Sequence, residues 1–65
     1  MSSKLVEYLQ LHIMSLNQDL EELSKRMDSL DPASKDFAEL DIEYNFTSGQ
    51  VSATMHILES LEELV

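Results

Sequence analysis

The side chains with chemical potential are few. His12 and His56 are the only imidazoles, and folding the chain back on itself sets them almost opposite one another, with Glu59 three residues beyond His56. A twofold dimer would then gather several imidazoles and carboxylates, the donor types of a zinc or proton-sensing site. Two histidines at the edge of an interface account for the same spacing, and no metal site is assigned. Asp36, Glu39, Asp41 and Glu43 make a run of carboxylates. They lack the Glu-x-x-His pairing that builds di-iron centres inside helical bundles, since Ala53 stands three residues before His56. A helix start favoured by the positive end of the backbone dipole explains them. No serine, histidine and acid are spaced as a nucleophile with its base, and the lone Gly49 makes no phosphate loop. No catalytic or cofactor-binding residue is assigned, and the chain is read as a protein that is not an enzyme.

The positions of these residues follow from the apolar pattern. Val6, Leu9, Ile13, Leu16, Leu20, Leu23, Met27 and Leu30 recur at alternating spacings of three and four, the a/d seam of a coiled coil. Phe37, Leu40, Tyr44, Thr47, Val51, Thr54, Leu58, Leu61 and Val65 repeat it. Between them lies Asp31-Pro32, with the only proline in the chain. Proline disfavours helical geometry at the residue before it and suits the first position of the next helix. The spacing predicts a helix over about 3–30, a turn over about 31–35 and a helix over about 36–64, with Ser2 or Ser3 capping the first helix and Asp31 or Ser34 the second. A connection of about two to five residues makes neighbouring helices antiparallel. Folding about it sets Leu30 against Phe37, Met27 against Leu40, Leu23 against Tyr44, Leu20 against Thr47, Leu16 against Val51, Ile13 against Thr54, Leu9 against Leu58 and Val6 against Leu61. The fold class is therefore all-α, an antiparallel two-helix hairpin with helices roughly 40 Å long.

Thr47 and Thr54 are the weak rungs, and their hydroxyls should bond backbone carbonyls one turn earlier. Around Gly49 three outcomes are open: an unbroken helix that tolerates the glycine at about 1 kcal/mol, a kink with Thr47 and Gln50 as a capping box, or a close helix crossing over Ser48, Gly49, Ser52 and Ala53. On the first helix Glu21 with Lys25 and Glu22 with Arg26 are i,i+4 pairs of favourable polarity.

Length and charge bound the function. A chain of 65 residues hides only about 60% of its unfolded surface, so a lone domain is marginal and a partner subunit is the usual remedy. Cysteine is absent, which suits a reducing compartment. The first residues do not read as a signal peptide and no apolar run reaches the roughly 20 residues that span a bilayer. A soluble, cytoplasmic protein with no membrane association is expected. Thirteen acidic against four basic residues give a net charge of -9, which disfavours direct nucleic-acid binding and favours a basic protein partner.

Apart from His12 and His56, no ionisable side chain that carries charge at neutral pH lies between Tyr8 and Gln18 or between Tyr44 and Leu58. Beside the seam, Leu5, Tyr8, Leu11 and Met14 on the first helix and Phe46, Ala53, Ile57 and Leu64 on the second are left without cover. A patch of this kind marks an interface. Its expected members are Leu5, Tyr8, His12, Phe46, Gly49, Ala53, Ile57 and Leu64, and its economical cover is a second copy, a homodimer of hairpins forming a four-helix bundle.

Glu39-Leu40-Asp41, followed by Glu43-Tyr44-Asn45, resembles the second-helix signature of the small two-helix aspartyl-phosphate phosphatases that regulate sporulation, which are also hairpins. The match covers about a tenth of the chain. Phe37 and Ala38 stand where that family has serine and glutamine, and the helix continues well past Asn45, so membership is not adopted. In size and style the chain is also similar to small helical hairpins of bacteria and their phages, a likeness that carries no function. The expected function is a small acidic interaction or structural protein that self-associates through its uncharged band and binds another protein. The alternatives are an acidic inhibitor or nucleic-acid mimic of a basic partner, and a phosphatase-type regulator.

Overall fold

A computed structural model describes residues 3–64, with side chains from Lys4 to Glu63. Caps at Ser2 or the Ser3 side chain, the Leu64 side chain and the last seam position, Val65, lie outside the described residues. Two helices, α1 (Ser3–Asp28) and α2 (Lys35–Leu64), pack against each other as a hairpin measuring 48 × 14 × 11 Å between Cα extremes.

The seam is the core. Every residue named above in the eight rungs from Val6–Leu61 to Leu30–Phe37 is buried or half-buried, and among the other described side chains only Ser34, Ser48 and Ser60 are not exposed. Leu9, Leu16 and Leu23, seven residues apart on α1, are the best-covered apolar side chains, with Thr47 beside them on α2. None of the described side chains is sealed completely. Two helices surround a side chain on one side only, which leaves the core thin.

α1 ends at Asp28, two residues short of the expected Leu30. The cause is local: Ser29 and Leu30 donate their amides to the carbonyls of Arg26 and Met27 at 3.2 and 3.0 Å, an i to i−3 pattern that tightens the last turn, and the Ser29 hydroxyl donates to the Arg26 carbonyl at 2.8 Å. The connection then runs from Ser29 to Ser34, longer than the two to five residues expected. Of the two candidate caps for α2, Ser34 takes the role. Its Oγ accepts the Phe37 amide at 3.1 Å and its carbonyl accepts the Ala38 amide at 3.2 Å. Asp31 shapes the turn before it, accepting the Ala33 amide on Oδ1 at 3.0 Å and the Ser34 amide on its carbonyl at 2.9 Å.

α2 passes through Gly49 without a break, and the glycine has no positive φ. Neither the kink nor the capping box forms. Nor does the hairpin use Gly49 for a close crossing, because a Cβ built there meets nothing within 4 Å. Thr54 Oγ1 donates to the Gln50 carbonyl at 2.7 Å, as its place on an apolar rung requires. Thr47 makes no such bond. It borders an open recess shared with Asp19, Arg26 and Glu43, and no side-chain oxygen or nitrogen among the described residues is both sealed and unpartnered.

Candidate functional site

A seven-residue step keeps a side chain on one side of a heptad seam, so the flanks of the hairpin can be followed as lines. One flank is marked by a recess in which Asp19, Glu22 and Arg26 of α1 meet Glu43 and Thr47 of α2, and by a second recess nearer the turn that joins Arg26 and Ser29 to Asp36 and Glu39. The opposite flank is marked by a recess joining Gln10, Ile13 and Met14 to Met55, Leu58, Glu59 and Glu62.

Extending the first flank by sevens gives Leu5, His12, Asp19 and Arg26 next to the seam on α1, with Tyr8, Ser15, Glu22 and Ser29 outside them. On α2 it gives Asp36, Glu43, Gln50 and Ile57, with Glu39, Phe46, Ala53 and Ser60 outside. The flank changes character along its length. Toward the turn it is charged on both helices. Toward the free ends it carries Leu5, Tyr8, Ala53 and Ile57, with His12 as its one Asp, Glu, Lys, Arg or His, and Phe46 stands at the boundary, level with Asp19 and Glu22.

The expected interface residues therefore gather on one side, with Gly49 on the adjoining back of α2. Phe46 is 67% exposed, Tyr8 62% and Ile57 51%. Leu5, His12, Gly49 and Ala53 are exposed as well. The Leu64 side chain lies outside the described residues. The Tyr8 and His12 rings stack, with centroids 6.1 Å apart and planes 3° from parallel, so the only aromatic pair found among the described residues lies on this half of the flank.

Four large exposed apolar residues fall elsewhere, among them Leu11, 65% exposed on the back of α1. Ile42 stands on the back of α2 at 71% exposure, and Met14 with Met55 forms the apolar part of the opposite recess. Ile42 and Met55 were missed because each sits beside charged or polar neighbours in sequence, Asp41 and Glu43 for one, Thr54 and His56 for the other. Counting sevens from Ser48 and Glu62 would have found Met55.

The candidate chemical groups do not converge. His12 is on the first flank and His56, at nearly the same level, on the back of α2. One turn beyond His56, the Ser60 hydroxyl donates to its carbonyl at 2.9 Å. No group of three or more His, Asp or Glu side chains is placed to hold a metal ion among the described residues. Glu39 faces the first flank, whereas Asp41, seven residues before Ser48, faces the second, so the Glu-Leu-Asp segment points its two acids to opposite sides of the seam. Of the two expected helix-surface ion pairs, Lys25 Nζ lies 3.7 Å from Glu21 Oε1 with both side chains largely exposed, and it is the only ion pair among the described residues. Glu22 does not pair with Arg26; both instead line the recess with Asp19 and Glu43.

No helix is long and apolar enough to cross a membrane among the described residues. The chain matches no family model, no curated protein and no solved structure.

Proposed function

We propose that this chain is a small acidic interaction or structural protein, not an enzyme, that self-associates as a cytoplasmic homodimer of hairpins through the uncharged half of its first flank and presents its carboxylates to a basic protein. The supporting observation is the area left uncovered. A folded monomer of 7.4 kDa exposes about 4,200 Å² by the usual size scaling. The hairpin exposes 5067 Å², and the difference of about 850 Å² is close to the roughly 800 Å² that each partner contributes to a standard interface. The excess reflects the elongated 48 × 14 × 11 Å shape of a two-helix hairpin, which a second copy would make more compact. A dimer of this kind makes a four-helix bundle, in which each seam gains a second layer.

Sedimentation equilibrium over a wide concentration range, with helicity measured on the same samples, tests the reading. A helical dimer is expected. A helical monomer at every concentration would remove self-association and direct attention to a different protein as the cover.

The acid inhibitor is the second reading, favoured by the placement of Asp19, Glu22 and Glu43 around one recess and of Asp36 and Glu39 around the next. The two separate on salt. Capture of a basic target by charge weakens steeply as ionic strength rises, while self-association of a chain carrying -9 strengthens as its self-repulsion is screened.

A further inference from the structure

We infer that the second copy docks antiparallel and staggered, free-end half on free-end half, so that the two turns point away from each other. The inference rests on the proposed self-association and concerns its geometry. Its basis is the division of the first flank into an uncharged half and a charged half.

Toward the turn the flank carries Asp19, Glu22, Asp36, Glu39 and Glu43 against the single Arg26. Toward the free ends the same lines carry Leu5, Tyr8, Ala53 and Ile57, all exposed, with the exposed Phe46 at the boundary, level with Asp19 and Glu22. Three ways of laying two such flanks together differ in what meets what. Side by side in parallel, each acidic half meets its own copy, and like charges in apposition cost affinity. Antiparallel in full register, Leu5 and Ile57 of one copy cover the carboxylates of the other, which strips those carboxylates of water without giving them a partner. Only the staggered antiparallel arrangement sets apolar on apolar while every carboxylate of the flank stays in solvent. The opposite flank is the poorer surface for this purpose, because its recess has two methionines as its protruding apolar groups and is edged by Gln10, Glu59 and Glu62. A second copy is the fitting occupant because the band carries no carboxylate, lysine or arginine for a charged partner to meet, and an antiparallel copy supplies the same neutral band.

The twofold axis then passes near His12 of α1 and Ala53 of α2, the middle of the uncharged half. From there to the turn is about 20 residues, or about 30 Å at 1.5 Å per residue. The two turns should therefore stand about 60 Å apart. Full register antiparallel gives about 45 Å on the same rise, and parallel docking brings the turns within about 25 Å, the width of two neighbouring hairpins.

The absence of cysteine makes the distance directly measurable. Ala33, exposed in the turn, is replaced in the variant Ala33→Cys, spin-labelled, and the label-to-label distance is read by pulsed dipolar spectroscopy at concentrations where sedimentation shows a dimer. A distribution centred near 60 Å is expected. A centre near 45 Å or below 25 Å in a sedimenting dimer overturns the staggered arrangement and leaves self-association standing. A monomer in sedimentation, with no dipolar modulation, overturns both. The flank is identified separately by Met14→Glu, on the opposite side, which should leave the dimer intact; loss of the dimer there would overturn the choice of flank.

Discussion

Replacing Gly49 by alanine separates what the hairpin needs from what its assembly needs. Glycine in a helix interior is less favourable than alanine by about 0.8–1.0 kcal/mol. That gain is reduced only when the new methyl group has nowhere to go or when the backbone is left-handed. Gly49 has neither restriction, with helical φ and nothing within 4 Å of the built Cβ. Gly49→Ala should therefore stabilise the hairpin by nearly the full amount, about 1 kcal/mol. With an unfolding entropy of about 2.1 cal/mol/K per residue, a 65-residue chain converts this into a rise in Tm of about 7 °C. Circular dichroism melts at several protein concentrations provide the assay. The full rise is expected at the lowest concentration, and a smaller one where the dimer is populated, because Gly49 adjoins the proposed interface and the methyl group meets the second copy. An unchanged or lowered Tm at the lowest concentration would refute the reasoning, since it would mean that the back of α2 is already covered within one chain.

Other substitutions probe the seam, the cap and the flank. Leu16→Asp places a carboxylate at a side chain that is 7% exposed against Val51. The loss of about 2–5 kcal/mol of packing, with the added cost of a buried charge, should abolish helicity at all concentrations; a cooperative melt at the wild-type temperature would disprove the seam. Ser34→Ala removes the hydroxyl that caps α2 and should cost about 1 kcal/mol, whereas Asp31→Ala should cost less because it disturbs only the turn. The reverse order in urea titrations would make Asp31 the cap. Ile57→Glu leaves the rungs intact and should weaken dimerisation at least tenfold while the hairpin keeps its helicity, as sedimentation would show; an unaffected dimer would displace the interface.

The fold was legible because a heptad seam announces itself twice, once in each helix, and the two copies index onto each other across the turn. Leu30 was assigned to α1 on its seam position alone. Its side chain does sit in the seam, but Ser29 diverts the Arg26 carbonyl and the helix ends at Asp28. Side-chain periodicity says which residues face inward and not where backbone bonding stops. Thr47 shows the same boundary: its rung was legible, its hydroxyl partner was not, because that depends on the recess opening beside Arg26. The expected interface residues are those left over from the seam, which is a weaker signal than the seam itself. An exposed side chain has no partner within the chain to index against, so Ile42, on the back of α2, and Met55, on the opposite flank, escaped.

The six-residue connection also sets the order in which the hairpin assembles. The Leu30–Phe37 rung closes a loop of seven residues and the Val6–Leu61 rung one of 55. Closing the outer rung first would cost about 1.8 kcal/mol more chain entropy than closing the inner one. The helices therefore zip from the turn outward, on the microsecond to millisecond scale of proteins dominated by local contacts, and the free ends are the last to close and the first to open. The uncharged half of the flank lies at those free ends, so in the proposed dimer a second copy docking there would clamp the part of each hairpin that frays most readily. Association and completion of the fold would then be one event, while the turns, formed first, would need no partner to be in place.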